Sequence, residues 1–395
     1  MATHTVKRHG AQPRAWGKVL PLAAALMLCL IPATGQTSWP GGPIESPGQQ
    51  AIGWRTEIVD SDEAAGGSTS LALDTSGYAH ISYQSSRFLR YAHQDALGWH
   101  VETVDHGGSW CGTYTSLALD AGGFPHVSYA CSETLRYAYL DVTGWHTETV
   151  DTEKETGRYN SIALDASGYP HISYYASTDT SLRYACQDAT GWHIETVDNE
   201  GGRVGWYTSL ALDASGYPHI SYYWETESKL LYAYQDAAGW HIETVDSQGL
   251  TGQHTSLALD GSGYPHISYF DNLMGGDQGN LQYAYKDAAG WHIEFVCGRD
   301  RFTSLALDAS ENPHISFFSY LEDDLKYAFR DAAGWHIETV TSAGEVGTAT
   351  SLVLDDGGYP HISYYDETNA DLEYAYCTDL QRVFLPLVVK ALPPQ

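Results

Sequence analysis

Apolar and polar positions along this chain fall into short runs that recur in a fixed order. In the clearest stretch, Ser209-Leu-Ala-Leu-Asp213 is followed by Pro218-His-Ile-Ser-Tyr-Tyr223, then Leu230-Leu-Tyr-Ala-Tyr234, then Gly239-Trp-His-Ile-Glu-Thr-Val-Asp246. Ile, Val, Tyr, Thr and Trp dominate these runs, and they suit a pleated surface. Asp213-Ala-Ser-Gly-Tyr-Pro218 separates the first two runs, and Gln235-Asp-Ala-Ala-Gly-Trp240 the last two. Both linkers offer a glycine for positive φ and an aspartate that can accept from loop amides, so each run is predicted to be a strand ending in a tight turn. The Asp that closes the first run returns at Asp74, Asp120, Asp165, Asp213, Asp260, Asp308 and Asp355. The Gly-Trp pair returns with Trp54, Trp99, Trp145, Trp192, Trp240, Trp291 and Trp335. A period of about 47 residues built only from strands and turns defines a repeat architecture.

The chain ends predict how the array closes. The last copy stops after Leu372-Glu-Tyr-Ala-Tyr376 without a Gly-Trp run, while a lone Gly-Trp run, Gly53 to Asp60, precedes all the others. Pairing the surplus strand with the incomplete copy completes a seventh unit from both ends and removes an exposed sheet edge. The first run, with its small and aliphatic side chains, is predicted to be innermost. The fourth run alternates His241 and Glu243 with Ile242 and Thr244, the pattern of a half-solvated outer strand.

These features resemble the seven-bladed β-propellers over residues 53–376, which implies an all-β ring of four-stranded blades with the N-terminal strand closing the last blade. The D-x-x-G-W turn is similar to the Asp-box of sialidases, although Tyr234 stands where that motif has Ser and Gly239 precedes Trp240. Asp-boxes are folding motifs at the blade periphery and carry no activity with them. The SLALDxSGYPHISY stretch resembles NHL-type and related bacterial propeller repeats.

Residues 1–35 read as a secretory signal: Lys7, Arg8, Arg14 and Lys18 precede an apolar stretch from Val19 to Ile31, and Ala33-Thr-Gly35 offers small residues for cleavage. Residues 36–52 form a Pro- and Gly-rich lead-in. The expected destination is the cell surface or the outside, with no transmembrane span once the signal is removed. The net charge of −29 disfavours nucleic acid, which needs clustered Lys and Arg. In an exported chain, Cys111 and Cys131, in two loops predicted to emerge on one face of the second blade, are expected to form a disulfide. Residues 377–395 depart from the repeat. Their Arg382-Val-Phe-Leu-Pro-Leu-Val-Val-Lys390 is either a sorting or attachment tail or a strand packed on the flank.

Function is expected where the copies disagree. The turns after runs one and three are nearly uniform and share one face. The loops after runs two and four vary and share the other, the usual place for binding chemistry on a rigid scaffold. Just ahead of run one on that face, Tyr114, Tyr159, Tyr207, His254 and Phe302 stand in five successive blades, with Trp110, Trp206 and Trp224 nearby in sequence. Such aromatics are either wedges between blades or platforms for a glycan, whose CH groups pack on rings while its hydroxyls bond to polar neighbours. Hence the first expectation is a binding propeller for a glycan or an extracellular protein.

A glycan-cleaving enzyme, of sialidase or polysaccharide-lyase type, is the alternative. Only Arg203, Tyr207, His254, Arg299 and Arg301 could supply its site. A third reading is a structural surface protein without a small ligand. Arg90, Arg136 and Arg183 recur at one repeat position and read as register. The seven histidines of run two, His80 to His361, and the seven outer glutamates, Glu57 to Glu338, are spread around the ring and read as frame. No cofactor is expected. Calcium would have only the loop from Asp271 to Asn280, which has oxygen ligands but not the register of an EF-hand.

Overall fold

In the computed structural model, residues 52–62, 64–108, 110–272 and 279–379 are described. The segment read as a signal and most of the lead-in, the last sixteen residues, and the middle of the Asp271–Asn280 loop lie outside them. The described residues form seven four-stranded antiparallel sheets and no helix. The fourth blade runs outwards from the axis as Val204–Leu212, Pro218–Trp224, Lys229–Asp236 and Gly239–Asp246. The seventh takes its outer strand, Ile52–Asp60, from the N-terminal end of the ring, paired antiparallel with Asp371–Asp379. The protein is a seven-bladed β-propeller closed as its run order predicts.

Sheets covered on both faces bury nearly every side chain of their middle strands. Ile220, Tyr222 and Ala233 are fully or almost fully buried, and their counterparts repeat around the ring. The core is therefore seven equivalent layers, each shared by two neighbouring blades. One layer joins Leu182, Tyr184 and Val197 of the third blade to Leu210, Ile220 and Tyr222 of the fourth.

Polar groups repeat with the same fidelity. Near the axis, the serine of each first strand accepts the backbone amide of the next blade. Ser70 takes Leu117 at 3.0 Å, Ser161 takes Leu210 at 3.0 Å, and Ser351 closes the circle onto Leu71 at 3.1 Å. The other four junctions match at 2.9–3.2 Å. Each bond contributes about 1 kcal/mol net, and its loss would strand a buried amide. At the rim, each tryptophan of the Gly-Trp pair meets a tyrosine of the preceding blade edge-on, at 5.2–5.4 Å between centroids. Five of these indoles also donate to a glutamate there, as Trp99 does to Glu57 at 3.1 Å. The recurring glutamates are interblade clips.

The recurring histidines are also frame. In every blade the Nδ1 of the run-two histidine meets a tyrosine hydroxyl on the next strand, as His219 meets Tyr232. The Nε2 lies 3.6–3.9 Å from the aspartate that ends run one. That aspartate also caps its turn: Asp213 Oδ1 accepts the amides of Ser215 and Tyr217 at 2.8 and 2.9 Å. Burial lowers the pKa of all seven histidines, with the aspartates opposing it.

A histidine depressed in the folded state takes up its proton more readily when unfolded. Its contribution is fully present above the unfolded pKa of about 6.5 and is lost as pH falls towards the folded value. Seven such groups act together. The urea midpoint is therefore expected to fall steeply from pH 7 to pH 5, and unfolding at pH 6 to take up several protons. A midpoint flat over that interval would contradict neutral buried histidines.

Candidate functional site

Each innermost strand carries a bulge just after it enters from the variable face. In the fourth blade the pairing slips between Trp206 and Ser209, and the other blades slip at the same place. A bulge re-aims one side chain. Here that residue is Tyr114, Tyr159, Tyr207, His254, Phe302 or Ala349, at φ of 51–55°. The left-handed region suits glycine and strains larger residues. Five aromatic residues held there in successive blades mark the axis as the place where the repeat departs from its own best backbone chemistry.

The five rings form an unbroken arc. Successive centroids lie 4.7, 4.5, 4.3 and 4.6 Å apart, with planes inclined by 40–60°. Rings lying flat side by side on a wall would collide at that spacing, so they fan around the axis and turn their edges inwards. At the two ends of the arc, Tyr114 and Phe302 each have one ring neighbour among the described residues, Tyr159 and His254. Between these ends the arc is interrupted by Ala349 and by Gly67 and Ser68 of the first blade. Arc and gap together line a cavity of about 360 Å³ on the axis, floored by Thr69, Thr115, Thr208, Thr255, Thr303 and Thr350. On a seven-fold circle with this spacing the centroids of the two end rings stand about 10 Å apart, room for one saturated ring with its substituents.

The threonines set the arc's backbone. Thr208, Thr255 and Thr303 donate to the carbonyls of Tyr159, Tyr207 and His254 in the preceding blades at 2.8, 2.9 and 3.1 Å. Burial raises the pKa of Tyr159 and Tyr207, so both stay protonated and able to donate. His254 is hemmed in by its ring neighbours. Withdrawal from water, then the charge of Arg301, lowers its pKa to about 3. The arc itself is uncharged at neutral pH, in a chain of net charge −29.

A second cavity, of about 710 Å³, lies alongside between the second and third blades. It is lined by Trp110, Thr113, Tyr114, Ala130, Cys131, Ser132, Glu133, Glu155, Thr156 and Arg158. Cys111 and Cys131 are joined at its wall by the expected disulfide. Their sulfurs and a carboxylate oxygen of Asp105 form the one cluster of metal-ligating atoms among the described residues. Bonded to each other, those sulfurs are not thiolate ligands.

The remaining sequence candidates divide. Trp206 stacks behind the arc on Tyr159 and meets Tyr175 edge-on. Trp224 packs against the 201–202 turn, donating to the Gly202 carbonyl at 3.0 Å, and lines neither cavity. Arg301 lies over Tyr320 at 5.3 Å and acts electrostatically on both His254 and Tyr207. Arg299 lines neither cavity. Its backbone bridges the Gly279 carbonyl and the Tyr320 amide. Arg203 pairs with Glu225 at 3.1 Å, away from the arc. Tyr207, His254 and Arg301 thus come together without Arg203 or Arg299. Arg90, Arg136 and Arg183 bind Asp60, Asp105 and Asp151 at 2.5–3.0 Å and hold the blade junctions. The ends of the calcium-like loop bond to each other, Asn280 Nδ2 to Asp271 at 3.0 Å. Sequence reasoning missed the gap at Ala349, Ser68 and Gly67, and the groove residues Arg158 and Glu133. The gap was legible in principle, since Ala349 and Ser68 occupy the aromatic position in the seventh and first copies.

No protein-family model matches the chain, and no curated protein sequence does. Solved structures do match in fold. A catalytically inactive virginiamycin B lyase variant from Staphylococcus aureus, in complex with quinupristin, aligns at TM-score 0.56 and 11% identity, over 82% of this chain and 99% of its own. The hydrazine synthase of Kuenenia stuttgartiensis aligns at TM-score 0.57 and 11% identity, over 78% and 95%. A polysaccharide lyase aligns at TM-score 0.51 and 11% identity, over 80% and 90%. At such identities the likeness is one of fold.

The ring-proton shifts of His254, assigned by comparison with His254→Asn, are expected to titrate near pH 3, and near neutrality to stay constant. Arg301→Ala is expected to move that midpoint upwards. A midpoint close to 6.5 in the unaltered protein would show that the arc is open to bulk water.

Proposed function

We propose that this protein is a binding propeller, exported to the cell surface or beyond, that holds a neutral glycan at the axial mouth of its variable face. The observation that carries the reading is the arc of five strained aromatic residues broken by a gap of small ones. The end rings Tyr114 and Phe302 suit the CH faces of a sugar ring, and the threonines and tyrosine hydroxyls suit its hydroxyls. A polar cavity of this kind counts against a purely structural protein. The disulfide favours an oxidising compartment.

The convergence of Tyr207, a neutral His254 and Arg301 supports a second reading, a glycan lyase. In it the unprotonated imidazole would accept the proton beside a uronate carboxylate, Arg301 would offset that carboxylate's charge, and Tyr207 would protonate the leaving oxygen. Elimination creates a carbon–carbon double bond, so ultraviolet absorbance on incubation with uronate polysaccharides separates the two readings.

Calorimetric titration with neutral mono- and disaccharides is expected to show binding. Ala349→Trp, which fills the gap, should weaken it at least tenfold with thermal stability preserved. Phe302→Ala, which removes one end ring, should weaken it to a similar degree. Unchanged affinity in both variants would remove the mouth as the site. Growing absorbance on uronate polysaccharides, abolished in His254→Asn, would replace binding with cleavage.

A further inference from the structure

The axial cavity does not end at the arc. Tyr114 lines both the axial mouth and the larger groove between the second and third blades, so the two spaces share a wall. Trp110 lines the same groove. It is 70% exposed and has no ring contact among the described residues, so it contributes little to the core. Its backbone is nevertheless held in the left-handed region at φ 61°. The next residue, Cys111, is bonded to Cys131, its amide donates to the Arg87 carbonyl at 3.2 Å, and Thr113 Oγ1 donates to the Trp110 carbonyl at 3.1 Å. An exposed indole on a strained yet tethered backbone is a pre-ordered contact surface. No other blade has a tryptophan at this position or a disulfide beneath it.

We infer that the ligand is a chain of sugar units, one seated in the axial gap and the following ones running past Tyr114 along the groove onto Trp110. This rests on the proposed glycan reading and adds the ligand's length and direction. Three residues separate the two aromatics, and both line the groove. The groove is about twice the volume of the axial cavity, 710 against 360 Å³. Glu133 and Glu155 against Arg158 make the lining slightly acidic, so the chain is neutral: a polyanion would meet two carboxylates for one guanidinium. The disulfide sets the height of the platform and is therefore a positioning element for binding as well as a clasp.

The test is an array of neutral linear glycans from one to six units, read with the full-length protein and repeated by calorimetry on the best series. Affinity is expected to rise with each added unit until the groove is filled, then level off. Trp110→Ala should cost the longest member at least tenfold and leave the monosaccharide unchanged, while Trp110→Phe should restore part of the loss. Cys111→Ser with Cys131→Ser should reproduce the long-chain loss, with thermal unfolding recorded to show that the ring stays closed. Short sugars that bind with no gain from length, or length-dependent binding indifferent to Trp110, would overturn this inference and leave the axial site standing. Absence of binding to every glycan would overturn both. Binding of extended peptides in the groove, with glycans inert, would reassign it to a polypeptide partner.

Discussion

Everything in this molecule depends on closing a ring from units that cannot stand alone. A four-stranded blade has two apolar faces and needs a neighbour on each. Seven layers can be satisfied only if the seventh is completed, and the strand that completes it comes from the other end of the chain. The junction between Ile52–Asp60 and Asp371–Asp379 is thus where the chain's own entropy is set against the burial of two layers. Its contacts are no weaker than the rest. Trp54 packs on Tyr327 and donates to Glu338, and Ser351 binds the Leu71 amide, as their counterparts do elsewhere. The closure uses the repeat's standard parts, which lets the ring read as continuous.

That constraint explains why the most abundant chemical groups are inert. Asp, His, Tyr, Trp and Glu recur because each bridges strands or blades at a fixed height above the axis. Where the acceptor is lost, the donor is either lost with it or paired anew. The tyrosine that bonds the preceding blade's terminal aspartate, as Tyr269 bonds Asp246 at 2.8 Å, becomes Phe317 in the sixth blade, where Cys297 stands in place of the aspartate. A donor without an acceptor would be costly in that buried layer, so the pair is lost together. In the seventh blade, where Thr341 stands in place of the aspartate, Tyr364 donates to Glu373.

The sequence made the frame legible and the site only partly so. Run order, strand count, closure and the Cys111–Cys131 pairing follow from period, turn residues and the direction of successive strands, all local quantities. The arc was visible as a column of aromatics, but not its geometry. Whether Tyr159 presents a face or an edge depends on a bulge and on 4.5 Å spacings set by blade packing. Trp224 and Trp206 looked equivalent in sequence. One is turned against a loop by its bond to Gly202, and the other stacks behind the arc. The groove was the least legible part, because it is a space between loops of two blades and no single repeat contains it.

A repeat protein acquires a site by breaking its symmetry, and here the break is graded. The floor of the mouth is almost uniform, six threonines in near-equivalent places. The next layer up is the arc, uniform over five blades and absent in two. Above it the loops differ in every blade, and one carries a tethered tryptophan. Rigid, repeated chemistry therefore lies deepest, where it fixes the positions of the strained residues above it. Variation increases towards solvent, where changing it costs the ring least. The αL strain along the arc is held by the bulged strands beneath and, at Tyr159, Tyr207 and His254, by threonines of the next blades. The same closure that makes seven blades stable thus supplies the rigidity on which an aromatic binding surface can be built.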